Sequence, residues 1–328
     1  MHILIASRTR IPVVAYGGTE RVIWDLGRAL VDSGHQVTYL VEAGSQCDFA
    51  SVIYIDDSVD MRQQVPDGVD IAHFHFRPDF DLDQELGRPY LYTEHGNSAD
   101  QPELPLNAVF LSANHAQRHG SNQFVYNGLD WQHYGPVDFE RSRDYFHFLG
   151  KAAWRVKNVA GAIDVALMAG QRMSVLGGDR LNLKRGFRFT ASPRIRFHGM
   201  VGGDKKFDLL NGSVGLIFPV RWHEPFGLAV IESLYFGCAV FATPYGSLPE
   251  IVTPECGALS SSAGALAEAV KTHTVDSHVC HQRAIDFFSA QTMCKNYLAK
   301  YERVLARDQL NPIAPQLQAG SRDLPWDA

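Results

Sequence analysis

Short apolar runs alternate along this chain with longer stretches whose apolar residues recur every three to four positions. The first run ends at Ala6 and reads as a buried strand. Residues 21–33 then place Val22, Ile23, Leu26, Ala29 and Leu30 on one helical face, Gly34-His35 ends it, and residues 36–41 form the next strand. That is one βαβ unit with a glycine loop between its first strand and its helix. Residues 52–55, 69–76, 89–93 and 108–112 read as further strands. A second series opens with a strand at 145–149 and a helix at 159–169. Strands at 173–177 and 195–199, each closing on glycine, a short helix from Phe207 and a strand at 216–218 follow. A helical stretch 228–236 stops at Gly237, and 238–242 is the next strand. Residues 263–271 and 283–306 read as helices, the second with Phe287, Phe288, Tyr297, Leu298, Tyr301 and Leu305 turned inward. Strands alternating with helices predict parallel sheets covered on both faces, and two such series predict two α/β domains. The polar stretch 136–144 puts their boundary near residue 140, and the Pro- and Gln-containing segment after Asp308 reads as a loose tail.

Composition narrows the class. A chain of 328 residues with 45% hydrophobic and 20% charged residues fits a soluble globular protein. No apolar run approaches the ~20 residues that span a bilayer. The N-terminal segment lacks the basic start and the apolar length of a signal peptide. The cysteines (47, 238, 256, 280 and 294) are scattered, with no CxxC, and read as reduced thiols of a cytoplasmic protein. Charge is uneven: residues 1–140 hold 8 Arg, no Lys and 20 acidic residues, and the first lysine is Lys151. The basic second half suits an anionic nucleotide. The acidic first half argues against nucleic acid or anionic lipid as its partner.

The chemistry gathers in residues 215–252. A buried strand ends at Pro219, a loop carries Glu224-Pro225-Phe226-Gly227, and the helix from Leu228 holds Glu232. Eight helical positions span about 12 Å, and the helix N-terminus between the two carboxylates offers free amides to a phosphate. A nucleotide-sugar has that layout, with polyols on both sides of a diphosphate. The plain alternative is a dipole partner and a surface glutamate.

This stretch resembles the donor-site segment of the retaining GT-B glycosyltransferases of family 4 (glycosyl transferases group 1). The likeness rests on Glu224, seven residues, then Glu232, with Phe226-Gly227 after the first glutamate, then Gly237, Ala242-Thr243-Pro244 and Gly246 to Glu250. Other family segments occur in order: Gly17-Gly18-Thr19-Glu20, the strand holding His73 and His75, Thr93-Glu94-His95-Gly96, the Asn127-Gly128-Leu129-Asp130 turn, and Gly150-Lys151 with Lys157-Asn158. The family has Gly-Arg and then Lys-Gly, so Lys151 stands for the arginine and Asn158 for the glycine.

The resemblance implies two Rossmann-like domains facing across a cleft. Residues 1–140 would be the acceptor-side domain and 141–328 the donor domain, with a last helix crossing back. It implies a metal-independent retaining transferase that uses a nucleotide-diphosphate sugar, a UDP- or GDP-sugar, without further cofactor. The acceptor would be a glycan, a lipid-linked glycan or a small molecule. His95, Lys157 and Glu224 would act at the reacting centre. Gly17, Gly18, Lys151, Gly199, Met200, Pro225, Phe226, Gly227, Leu228 and Glu232 would bind donor, and His75 and Asn97 would lie on the acceptor side. The glycine loop fits neither a dinucleotide fingerprint nor a P-loop. His73 with His75, and His115 with His119, lack partners at zinc spacing, so no metal site is expected. An epimerase, a sugar phosphorylase or a non-catalytic binding protein are the alternatives.

Overall fold

The computed structural model describes residues 1–13, 17–97, 103–182, 188–272, 274–318 and 323–328. The chain divides into two units. Of the described residues, the first holds Met1–Val13, Gly17–Asp130 and 288–318; the second holds 131–287 and 323–328.

The first unit is built on β1 (His2–Ala6), α1 (Gly18–Asp32), β2 (Gln36–Val41), β3 (Ser51–Tyr54), β4 (Ile71–Phe74), β5 (Tyr90–Thr93), β6 (Ala108–Val109) and α2 (Ala113–Arg118). Its six strands run parallel in the order β3-β2-β1-β4-β5-β6. Reversal of strand order beside β1 is the doubly wound pattern, which places ligands at the carboxyl ends of the strands. Leu4, Ala6, Ala72, Phe74, Tyr92 and Phe110 form one of its apolar layers.

The second unit contains β7 (Tyr145–Leu149), α3 (Val159–Met168) and β8 (Met173–Leu176). A short antiparallel pair follows, β9 (Leu181–Asn182) and β10 (Arg188–Phe189). Then come β11 (Ile195–Phe197), α4 (Gly203–Asn211), β12 (Ser213–Phe218), α5 (Leu228–Tyr235), β13 (Ala239–Ala242), α6 (Leu248–Ile251), β14 (Gly257–Leu259), α7 (Ala263–Thr272) and α8 (Ser277–Phe287). The sheet order is β11-β8-β7-β12-β13-β14, again parallel. β12 and β13 are buried along almost their whole length, as strands covered on both faces must be.

Four expectations are corrected. The units part at residue 131 rather than near 140, because 131–139 pack onto the second unit: Trp131 stacks on Tyr235 at 4.5 Å, and the Tyr235 hydroxyl donates to Gly135 O. The single helix expected at 283–306 is two. α8 ends at Phe287 and α9 (Ala290–Leu305) starts anew, because Ser289 caps it by accepting from Thr292 N. Phe287, assigned to the buried face, is 51% exposed, while Tyr297 and Tyr301 are buried in the first unit. The described parts of the segment after Asp308 are tied down by main-chain bonds. Leu104 N donates to Pro315 O and Gln316 N to His119 O in the first unit, and in the second Leu324 N donates to Arg221 O and Ala263 N to Asp327 O. Main-chain bonds of this kind satisfy polar groups on both partners and hold a segment that has few apolar residues.

Candidate functional site

Glu224 is placed by two strand ends at once. β12 delivers the loop that carries it, and the loop after β13 pairs with it: Glu224 bridges Gly246, and Ser247 N donates to Glu224 O at 2.9 Å. The side chain is buried, and its Oε2 accepts from Lys157 Nζ at 2.6 Å and Trp222 Nε1 at 2.8 Å. Its Oε1 has no hydrogen-bond partner among the described residues. Lys157 Nζ also lies 5.1 Å and 5.0 Å from the Phe218 and Trp222 ring centres, a cation–π cradle. Asn158 brings the lysine there by adopting φ +52°, a left-handed turn that asparagine tolerates. Its side chain accepts from Gly161 N to cap α3 and donates to Pro219 O. Gly227, at φ +98°, turns the chain into α5, whose N-terminus is the positive end of the helix. Phe226 and Pro225 are buried, so only their main chain can face a ligand.

One helical stretch further, Glu232 is 3% exposed. Its Oε1 accepts from the Tyr134 hydroxyl at 2.8 Å and pairs with Lys206 Nζ at 2.5 Å. Lys206 sits on α4 and is itself 7% exposed. Beyond the carboxyl ends of β7, β8 and β11, three loops meet. Ala152 N donates to Gly177 O, Gly177 N donates to Gly199 O, and Gly178 bridges Gly199. Lys151 lies in the first of these loops, 5.3 Å from the Trp154 ring, and Met200 in the third is 51% exposed.

In the first unit the loop after β5 is shaped by Glu94. Its buried carboxylate accepts from Gly96 N and from the Tyr92 hydroxyl, both at 2.7 Å, and burial pushes its pKa up. This turn presents His95, whose Nε2 lies 2.8 Å from His75 Nδ1. Beneath them the His73 imidazole is spanned by Tyr301 Oη and Thr93 Oγ1, each at 2.8 Å. His115 donates from Nε2 to Gly96 O at 2.7 Å, and Arg118 donates to Asn97 Oδ1 at the same distance. Gly18 opens α1, and a Cβ on Gly17 would lie 2.6 Å from the Glu20 carboxylate.

Solved structures of the same architecture exist. AviGT4, a glycosyltransferase involved in avilamycin A biosynthesis, superposes with a TM-score of 0.74 at 20% identity, covering 93% of this chain and 98% of that one. Sucrose-phosphate synthase from Thermosynechococcus elongatus gives 0.71 at 18%, covering 93% and 99%. Anabaena HepE in complex with UDP and glucose gives 0.61 at 14%, covering 92% and 99%. The fold is GT-B. The family model described as glycosyl transferases group 1 matches residues 143–275, the stretch that holds all of the second sheet. No curated protein sequence matches the chain.

Within its GT-B frame the second unit joins Lys157, Glu224 and residues 225–228 in one bonded cluster, sets Glu232 further along α5, and places Lys151, Gly199 and Met200 on neighbouring strand-end loops. The first unit joins His75 to His95 and holds Asn97 two residues on. Sequence reasoning missed Lys206, Tyr134, Trp222 and Glu94. Lys206 and Tyr134 carried no spacing signal, because only the packing of α4 and of residues 131–139 on α5 brings them to Glu232. Trp222 and Glu94 each stand next to or near a residue that was singled out, and their polar groups had no other evident use.

The imidazoles make this GT-B protein acid-sensitive. Desolvation lowers the pKa of His115 and of His147 to about 3, and holds His73 and His75 well below the usual value. An unfolded histidine takes its proton near 6.5, so the unfolded state binds more protons below that pH. Stability is therefore full above 6.5 and is lost as pH falls toward 3. Each such histidine costs about 1 kcal/mol between pH 6.5 and 5.5. Urea midpoints measured at pH 7.5, 6.5 and 5.5 should fall mainly over the last interval. Equal midpoints at all three would mean that the imidazoles accept protons in the folded state.

Proposed function

We propose that this protein transfers a sugar from a nucleotide-diphosphate sugar to an acceptor hydroxyl, with retention at the anomeric carbon, as a family 4 enzyme. The observation that carries the reading is the state of Glu224. Its Oε2 is held by Lys157 and Trp222 while Oε1 has no partner among the described residues, beside a helix N-terminus that suits phosphate. Oε1 takes donor sugar hydroxyls. Lys157 Nζ and the first amides of α5 stabilise the charge that grows on the diphosphate as it leaves, which is preorganised electrostatic catalysis without a need for metal. Glu232 binds the ribose, the base packs at Gly199 and Met200, and Lys151 adds a point charge near the phosphates. Gly17 and Gly18 shape the phosphate and acceptor side. His95 meets the transferred sugar, with His75 and Asn97 on the acceptor side.

The HepE structure in complex with UDP and glucose, and that of an Arabidopsis starch synthase IV catalytic domain bound to ADP, are in keeping with this reading. The donor is a UDP- or GDP-sugar and the acceptor a glycan, a lipid-linked glycan or a small molecule. Among the described residues no helix is long and apolar enough to cross a membrane. Free cysteines, most of them buried, fit a reducing cytoplasm.

A thermal-shift panel of UDP, GDP, ADP and dTDP in EDTA tests the site. A nucleotide at ~100 Kd should stabilise by about 2.7 kcal/mol. Lys157→Ala should then lower turnover at least tenfold, the loss of about 1.4 kcal/mol of transition-state stabilisation. No shift with any nucleotide, or full turnover in the variant, overturns the assignment.

A further inference from the structure

The pair His75–His95 has two inner nitrogens joined at 2.8 Å and two outer ones without a protein partner among the described residues. The outer nitrogens differ. His75 Nε2 is sealed from solvent, whereas His95 is only part-buried and its Nδ1 is not among the sealed atoms. Both rings are neutral at ordinary pH, since burial depresses His75 and takes His95 to about 4. Two neutral imidazoles sharing one hydrogen bond have two arrangements. If His75 Nδ1 donates, His75 Nε2 is bare and His95 carries its hydrogen on Nδ1. If His95 Nε2 donates, a buried N–H is stranded on His75 and His95 Nδ1 is bare. An orphaned buried donor is the rarer and costlier defect, so the first arrangement wins.

We propose that His75 is a positioning residue: by donating from Nδ1 to His95 Nε2, it holds His95 in the tautomer that offers Nδ1–H, so that His95 meets a ligand oxygen as a hydrogen-bond donor and not as a base. That the oxygen belongs to a sugar rests on the transferase reading; the tautomer does not. The assignment also fits a transfer that needs no side-chain base in the first unit.

Long-range proton–nitrogen NMR of the full chain, with histidine rings labelled, reads the tautomer directly, and the His95 signals are assigned by their loss in His95→Gln. The wild type should show a protonated Nδ1 and a bare Nε2 at His95. His75→Asn, whose amide can donate from the same place, should keep that pattern, and His75→Leu should shift the proton to Nε2. Under saturating donor, His75→Leu should lose roughly tenfold in kcat, about one hydrogen bond, with donor KM little changed, and His75→Asn should recover most of that loss. A wild-type His95 protonated on Nε2 overturns the proposal, and so does a pattern that His75→Leu leaves unchanged. If His75→Leu does not fold, the wild-type spectrum still decides. If the wild type turns over no nucleotide-sugar, the transferase reading fails while the spectra still judge the tautomer.

Discussion

Gly246→Ala is expected to destabilise the protein by about 3 kcal/mol or more and to remove nucleoside-diphosphate binding, the sum of a strained backbone and a blocked contact. Gly246 sits at φ +67°, where an L-residue costs roughly 1–2 kcal/mol. A Cβ there would also stand 2.3 Å from both the N and the O of Glu224. Those atoms are main chain and cannot swing aside, so the loop after β12 must move as a body. It carries Glu224 away from Lys157 and loosens the turn into α5. Gly170→Ala is the control, since Gly170 has φ +71° and nothing within 4 Å of its notional Cβ. Guanidinium midpoints of the two variants separate strain from crowding, and nucleotide titration follows the site. Equal losses in both would show that the close approach at Gly246 carries no weight.

What could be read from the amino-acid sequence followed periodicity and local chemistry. Apolar runs such as 3–6 and 215–218 mark strands buried on both faces, and Gly237 closes α5 where its left-handed φ predicts. Glu224, Glu232, Lys157 and His95 stood out mainly through the resemblance, and Glu224, Lys157 and His95 do lie in segments that follow parallel strands. Packing partners were not legible. Trp131 and Tyr134 look like linker residues until Trp131 stacks on Tyr235 and the Tyr134 ring packs against Phe207. The break between α8 and α9 hid because Phe287 and Phe288 continue the apolar periodicity across it, and a serine cap is weaker as a signal than a proline. Asn158, where the resemblance has glycine, adopts a left-handed conformation, which asparagine tolerates better than most residues. The histidine pair was visible only as two residues twenty positions apart. Their hydrogen bond exists because β4 and β5 are neighbours and the imidazoles follow one and two residues beyond the strand ends.

Lys206→Met should cost about 3–5 kcal/mol, the usual penalty for leaving one charge of a buried pair without its partner. Both groups are more than nine-tenths buried, and the ion pair joins α4 to α5 inside the second unit. Without the ammonium, Glu232 keeps the Tyr134 hydroxyl as a donor, but a neutral hydrogen bond does not offset the lost counter-charge of a desolvated carboxylate. The cause can be isolated by adding Glu232→Gln to the same chain. An amide has no charge to strand, so Lys206→Met/Glu232→Gln should recover most of the loss, and a double-mutant cycle on urea midpoints should give a coupling of at least 2 kcal/mol. Additive losses would show that Lys206 matters for packing alone. The double variant then separates two roles of the same carboxylate. Folded yet unable to bind nucleotide, it would tie the negative charge of Glu232 to the ribose; binding as tightly as the wild type, it would leave Glu232 a structural residue and move the ribose site elsewhere on the strand ends of the second unit.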